Sequence, residues 1–179
     1  MNIIQDFLPK DYFDHIYHEI SGCNFPWLYQ ANVGLPLEKS SDESKQDHFY
    51  FVHRLYENFV PESSFFETLT PLLENLKVRS LLRARVLMYV NQGKQIIHDR
   101  HVDYPFDHTA ALIYMNDCNG FTEFEIPEDS QLNNGKLATK IERVGSVANT
   151  LVTFNGSVEH SSSNCTDEKH RLVLAINYF

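Results

Sequence analysis

Cysteine is scarce in this 179-residue sequence. The three present, Cys23, Cys118 and Cys165, lie far apart along the chain, and none belongs to a C-x-x-C pair. That usage speaks against a disulfide framework or a zinc–thiolate site and fits reduced thiols in a cytoplasmic compartment. Cations are also few: 15 Lys and Arg stand against 24 Asp and Glu, a formal charge of -9. A sequence-independent grip on a phosphate backbone needs a basic face, so a nucleic-acid partner is disfavoured. No run is apolar enough to span a bilayer, and the N-terminal residues lack the basic and long apolar regions of a signal peptide. Internal repeats and low-complexity blocks are missing too. What the chain has in quantity is aromatic residues, 13 Phe and 9 Tyr. Such a composition belongs to a globular chain with a real core, and the length suits one domain.

The hydrophobic period changes along the sequence. Phe13, Ile16, Tyr17 and Ile20 recur at helical spacing, with Pro9 placed for a first turn and Gly22 for a stop. The polar stretch 37–47 predicts an exposed loop, and 62–78 predicts a helical region broken or restarted at Pro71. From about residue 80 the pattern alternates. Leu82, Ala84, Val86, Met88 and Val90 interleave with Arg83, Arg85, Leu87 and Tyr89. Further strands are predicted over 95–102, 109–115, 121–126, 138–144, 148–154 and 171–179. Turn signals separate them at Asn91-Gln92-Gly93, Asn119-Gly120, Asn133-Asn134-Gly135 and Asn155-Gly156. Helices followed by many short strands imply a mainly β, α+β fold. It would be a sandwich or jelly roll over about 81–179, with helices of a part spanning about 1–80 packed outside it.

Three candidate ligands and one candidate counter-charge stand out. Residues two apart on a strand share a face, so His101 and Asp103 present an imidazole and a carboxylate together. They would be two members of a 2-His-1-carboxylate site, whose open positions suit non-haem Fe(II) and oxygen. With nine His and 24 acidic residues, about one His-x-acid match arises by chance. The pair therefore needs support. Asp99 shares the face with His101 and is an alternative carboxylate, whereas His98 falls on the opposite face as a surface or supporting group. His160, after the strand and turn Phe154-Asn155-Gly156, would be the third ligand. Arg171 opens the apolar strand Leu172-Val173-Leu174-Ala175-Ile176. Facing inward, it would be a buried charge awaiting an anion, and its planar fork suits a carboxylate. A metal triad with a nearby arginine makes a place for a small dicarboxylate.

In this pattern the stretch 83–179 resembles the 2-oxoglutarate- and Fe(II)-dependent oxygenases, specifically the prolyl 4-hydroxylase-like group. The matching elements are His101-x-Asp103, His160 as the distal histidine, and Arg171 eleven positions later. Arg85-Val86-Leu87-Met88-Tyr89, Thr109-Ala110-Ala111-Leu112-Ile113-Tyr114, Val152-Thr153-Phe154 and Asn177-Tyr178-Phe179 are similar to flanking family strands, and 2–20 to the family's N-terminal strand and helix. The resemblance implies a double-stranded β-helix, the cupin-like jelly roll. It implies Fe(II) on His101, Asp103 and His160, and 2-oxoglutarate as co-substrate with its far carboxylate on Arg171 and Tyr114, Tyr89 pointing at it. It implies O2 as oxidant, with ascorbate as an accessory, and hydroxylation of an unactivated C–H bond with succinate and CO2 as co-products.

Departures mark the limits. Asn119-Gly120-Phe121 stands where the family usually has two glycines and an acid, which affects the substrate side more than the metal. The Arg-x-Asn-x-x-x-Arg pattern of the nucleic-acid demethylases does not follow His160. The group implies a peptidyl proline as substrate, and a free amino acid or other small molecule as the alternative. Loops over 24–47 and 127–136, with Trp27 as a lid or a buried anchor, would line that side. His108 and His170 are expected in loops or at strand ends, with His170 a candidate for the mouth of the site. His15, His18, His48 and His53 are expected to be structural. Rival readings are a cupin-like enzyme of other chemistry, which usually needs a His-x-His pair not found here, and a non-catalytic binding domain. Oligomeric state has no readable signature.

Overall fold

Alternation on the strand Leu81–Val90 (β5) divides its side chains between two cores. Ala84 and Val86 join one apolar cluster and Leu87 and Tyr89 the other. The same division runs along His170–Tyr178 (β11), where Leu172, Leu174 and Ile176 face one way and Arg171, Val173, Ala175 and Asn177 the other. A strand apolar on both faces must be covered on both, which places these two at the centre of a layered fold.

The computed structural model describes residues 1–32, 47–128 and 139–179 in full, and the main chain of 129–133 and 136–138. Most of the loop expected over 37–47, and parts of the loops expected over 24–47 and 127–136, lie outside the described residues. The other elements are the strands Asn2–Ile4 (β1), Leu28–Gln30 (β2), Tyr50–Glu57 (β3), Val60–Pro61 (β4), Thr109–Tyr114 (β6), Cys118–Asn133 (β7), Lys136–Ser146 (β8), Thr150–Asn155 (β9) and His160–Ser162 (β10). Among the described residues two α-helices, Lys10–Ser21 (α1) and Thr70–Asn75 (α2), accompany a 3-10 helix over Ser64–Leu69.

All pairings are antiparallel. The major sheet runs β1-β9-β6-β11-β5-β3-β2 with β4 on β3, and the minor sheet runs β10-β7-β8. Between them lies a core of Val52, Leu87, Leu112, Phe124, Val152, Phe154 and Val173. On the outer face of the major sheet, Ile16 and Ile20 of α1 and Leu72 of α2 cover Val86, Leu174 and Ile176. Burying each such side chain contributes about 1.5–3 kcal/mol. The jelly roll with helices outside is thus the observed architecture. Helix α1 begins after Pro9, whose φ of -51° and ψ of 136° bring in an extended chain, and it stops at Gly22. At Pro71 the 3-10 helix gives way to α2, which carries proline in its first turn.

Two expectations are corrected. The part up to residue 80 is not helical alone, because β3 lies beside β5 with Val52 opposite Leu87 and Arg54 opposite Arg85. And 95–102 is not a continuous strand. It touches β10 and its continuation through two isolated bridges, Ile97 with Ser163 and His101 with His160. Four residues advance on one side while three do on the other, so one extra residue is bulged out between the bridges. A bulge of this kind shifts the parity of every side chain beyond it.

Candidate active site

The bulge explains the placement of the histidines. Strict alternation sends His98 and His101 to opposite faces, but with one residue looped out both point inward. His98 is buried, not on the surface, its ring 5.1 Å from that of Tyr89 and 5.4 Å from that of His48. His101 meets His160 with ring centroids 4.5 Å apart. His101, Asp103 and His160 each offer a ligand atom, and these atoms all lie within 4.8 Å of one another. Asp99 is not in this group; its main-chain carbonyl instead accepts from His101.

Each imidazole is fixed by its own chain. His101 Nδ1 lies 3.2 Å from the Asp99 carbonyl, and His160 Nδ1 lies 3.0 Å from that of Val158. A carbonyl can only accept, so Nδ1 carries the proton and Nε2 keeps its lone pair for a metal. Burial, aided by His160, pushes His101 down to about 4, so the ring is neutral and ready to ligate at ordinary pH.

Asp103 is held by residues the sequence does not single out. Arg83 Nη2 donates to Oδ1 at 2.6 Å and Asn177 Nδ2 donates to Oδ2 at 2.9 Å. Asn177 Oδ1 in turn accepts from Arg83 Nε at 3.2 Å. His108 completes the set: its Nδ1 donates to the Phe106 carbonyl and its Nε2 accepts from Asn177 at 3.1 Å. The His108 ring lies so close to Gly156 that a Cβ there would come within 2.1 Å of Nε2. Burial alone would raise the Asp103 carboxyl. His160, Arg83 and Asn177 outweigh it and hold the group below the usual carboxylate range. One signal for these partners was available. Arg83 and Asn177 share the strand faces of Tyr89 and Arg171, so a reading that turns the latter pair inward turns the former inward as well.

Arg171 is the largest fully buried side chain. Its Nη1 donates to the Ser163 carbonyl at 3.1 Å and its Nη2 to Thr122 Oγ1 at 2.9 Å, while Nε has no partner. No acidic side chain pairs with it among the described residues. Tyr114 donates to the same Thr122 oxygen at 3.0 Å, and the guanidinium lies 5.0 Å from the Tyr114 ring centre and 5.8 Å from that of Tyr89. Burial pushes the Tyr89 hydroxyl up to about 12 despite the neighbouring charge, so it stays a protonated donor. An uncompensated buried cation is costly unless an anion meets it. Gly120 makes room for the arginine stem, since a Cβ there would fall 2.6 Å from Arg171 Cδ and 2.8 Å from the Asn164 carbonyl.

Beside the triad opens a cavity of about 170 Å³ lined by Tyr50, Arg83, Arg85, Leu87, Tyr89, His101, Val102 and Asp103. The donor set fits a divalent metal with open positions: two imidazole nitrogens, one carboxylate and room on one side. The orphaned Arg171 Nε and the unpartnered His98 nitrogens and Ser161 hydroxyl fit a polar, anionic guest.

The remaining candidates sit elsewhere. His170 opens β11 beside Tyr17 and Asn116, not at the triad cavity. Trp27 packs edge-on against Phe25 at 5.0 Å, on the helix side of the major sheet, as an anchor. His53, expected to be structural, bonds the Pro26 carbonyl and the Ser63 hydroxyl. Cys118 and Cys165, far apart in sequence, come together with Asp167. Burial and the neighbouring Cys118 push the Cys165 thiol up to about 12, and both Asp167 oxygens accept from the Asn119 amide, so this cluster is poorly set up to ligate.

No protein-family model and no curated protein sequence matches the chain. Solved structures do. A prolyl hydroxylase from Trichoplax adhaerens, in complex with a hypoxia inducible factor oxygen degradation domain peptide fragment, aligns with a TM-score of 0.64 at 14% identity, covering 99% of this chain and 82% of that one. The non-heme alpha ketoglutarate dependent epimerase SnoN from nogalamycin biosynthesis aligns with a TM-score of 0.63 at 14% identity, over 99% of this chain and 76% of that one. A Pseudomonas putida prolyl-4-hydroxylase aligns with a TM-score of 0.60 at 13% identity, over 99% and 91%. The chain has the fold of the 2-oxoglutarate- and Fe(II)-dependent oxygenases, prolyl hydroxylases among them.

Proposed function

We propose that this protein is a 2-oxoglutarate- and Fe(II)-dependent oxygenase that hydroxylates an unactivated C–H bond, with a peptidyl prolyl residue as substrate. The observation that carries the reading is the convergence of His101, Asp103 and His160 inside a barrel that also buries Arg171 without a counter-ion. His101, Asp103 and His160 would hold the metal. Arg171, with Tyr114 and Tyr89 beside it, would hold the far carboxylate of 2-oxoglutarate. Bound Fe(II) with 2-oxoglutarate and O2 supplies the oxidising power, and succinate and CO2 leave as co-products. The chain's own part is positioning. The two carbonyl-tethered imidazoles and the Arg83–Asn177 clamp keep three donors aimed at one point. Phe124, Phe154 and Val173 keep bulk water from the barrel core.

Peptidyl proline rests on the likeness to prolyl hydroxylase structures. A small molecule, such as a free amino acid, is the second reading, and the compact, arginine-lined cavity favours it. Ascorbate belongs in the assay as a reductant. The sparse cysteines, all free thiols, support a cytoplasmic location, and no helix among the described residues is long and apolar enough to cross a membrane. The test is succinate production from 2-oxoglutarate with Fe(II) and ascorbate, with a proline-containing peptide or N-acetylproline added. His101→Ala and Asp103→Ala are expected to abolish it. Succinate made at the wild-type rate by either variant refutes the assignment.

A further inference from the structure

The cavity beside the triad holds one charge that the proposed reaction leaves unexplained. Arg85 points into it from β5, between Arg83 and Leu87 on the same face. Its Nε is fully covered and has no hydrogen-bond partner, and no acidic side chain forms an ion pair with it among the described residues. Its neighbours in register make matters worse. Ala175 lies opposite on one side and Arg54 on the other. Arg54 is already matched by Glu57 at 3.0 Å, and the nearby Asp103 is engaged by Arg83 and Asn177. Placing like charges opposite one another on a sheet is unfavourable, and a half-buried guanidinium without an acceptor adds to that cost.

Charge counting extends the point, and it rests on the oxygenase reading above. Arg83, Arg85, Arg171 and a divalent metal carry five positive charges. Asp103 and the 2-oxoglutarate dianion return three. Among these groups two positive charges remain in excess with metal and co-substrate in place, and both co-substrate carboxylates would already be matched, one by the metal and one by Arg171.

We propose that Arg85 is a specificity residue that binds an anionic group, of the carboxylate class, on the substrate to be oxidised. A neutral peptidyl proline does not satisfy it. A proline with a free carboxylate, an acidic amino acid, or a peptide with an acidic side chain next to the reacting residue does. The guanidinium fork offers a carboxylate two parallel donors within the cavity that touches His101 and Asp103, which ties recognition of the anion to presentation of a nearby C–H bond.

The test uses protein loaded with Mn(II) and N-oxalylglycine, a non-reactive analogue that fills the co-substrate site. Calorimetry compares N-acetyl-L-proline with N-acetyl-L-prolinamide, and N-acetyl-L-glutamate with N-acetyl-L-glutamine. At least one acid is expected to bind about tenfold or more tightly than its neutral partner. The preference is expected to shrink to within about twofold in Arg85→Gln and to survive largely in Arg85→Lys, which keeps the charge. N-oxalylglycine affinity, unchanged in both variants, reports that they are folded. Wild-type protein that does not distinguish acid from amide overturns the proposal, and so does a preference that persists in Arg85→Gln. If Arg85→Gln weakens N-oxalylglycine instead, the guanidinium serves the co-substrate and the proposal fails. Failure of wild-type protein with Mn(II) to bind N-oxalylglycine sinks the oxygenase reading separately, and the acid-over-amide preference and its loss in Arg85→Gln are then read on the metal-free protein.

Discussion

Replacing Asn177 by alanine tests whether the candidate metal site is aimed by a carboxamide at the end of β11. Asn177 is 2% exposed, and its side chain makes three contacts: to Asp103 Oδ2, to Arg83 Nε and to His108 Nε2. Alanine removes all three and leaves a buried guanidinium N–H and a buried imidazole nitrogen without partners. A hydrogen bond to a charged group is worth about 1.5–3 kcal/mol, and each stranded buried polar atom costs about 1–3 kcal/mol. A loss of roughly 3–5 kcal/mol of stability follows, large for one substitution. The more specific effect is on the metal. Asp103 would keep Arg83 but lose the partner that fixes its second oxygen, and losing such supporting contacts typically weakens metal binding 10- to 100-fold. Urea unfolding of the metal-free protein measures the first quantity, and competition for Zn(II) against a chromophoric chelator measures the second. If stability falls but the Zn(II) dissociation constant moves less than about threefold, Asn177 is packing alone and Arg83 suffices to orient the carboxylate.

Three further outcomes are expected. Arg171→Ala should weaken 2-oxoglutarate binding by more than about tenfold while leaving Zn(II) affinity within about twofold, with Arg171→Lys intermediate, because the charge stays but the fork is lost; equal 2-oxoglutarate affinity in all three proteins refutes that role. Gly120→Ala should do similar harm indirectly, since its methyl would sit 2.6 Å from Arg171 Cδ and 2.8 Å from a main-chain oxygen that cannot easily retreat; an unchanged melting temperature and co-substrate affinity would show that the arginine stem is not confined. Burial, with His48 and Arg171 nearby, pushes His98 down to about 3. Below about pH 6.5 the unfolded chain takes up a proton that the folded chain refuses, so His98 makes the metal-free protein lose stability as pH falls, by up to about 1.4 kcal/mol per unit. His98→Leu should flatten that slope between pH 7 and pH 5, and identical slopes in urea titrations would count against a sealed ring.

The sequence carried the central strands well, because β5 and β11 alternate cleanly and their two faces meet two different cores. It pointed to His101, Asp103 and His160, which the structure brings together, and to Arg171, which it buries, because residue types and their order can be read directly. It did not carry β3. In Tyr50-Phe51-Val52-His53-Arg54-Leu55-Tyr56-Glu57 polar and apolar residues do not alternate, and the strand's regularity comes from pairing with β5. Nor did it carry β10, whose three residues are too few for any period to show. The partners of Asp103 escaped for another reason. Arg83 and His108 are close in sequence neither to each other nor to Asn177, and only the antiparallel register of β5 and β11, which sets Arg83 opposite Asn177, makes them neighbours. Arg85 was legible as an inward residue on the face of Tyr89, but its lack of a partner is a property of the assembled sheet.

The looped-out residue ahead of His101 has a consequence for how this chain can change. Deleting one residue at position 99 or 100 would let the segment zip smoothly along its neighbour and gain main-chain pairing, but one of the two inward imidazoles would then swing outward. Length here is therefore under tight constraint: a one-codon slip would yield a better-knit sheet in which His98 and His101 no longer both face inward.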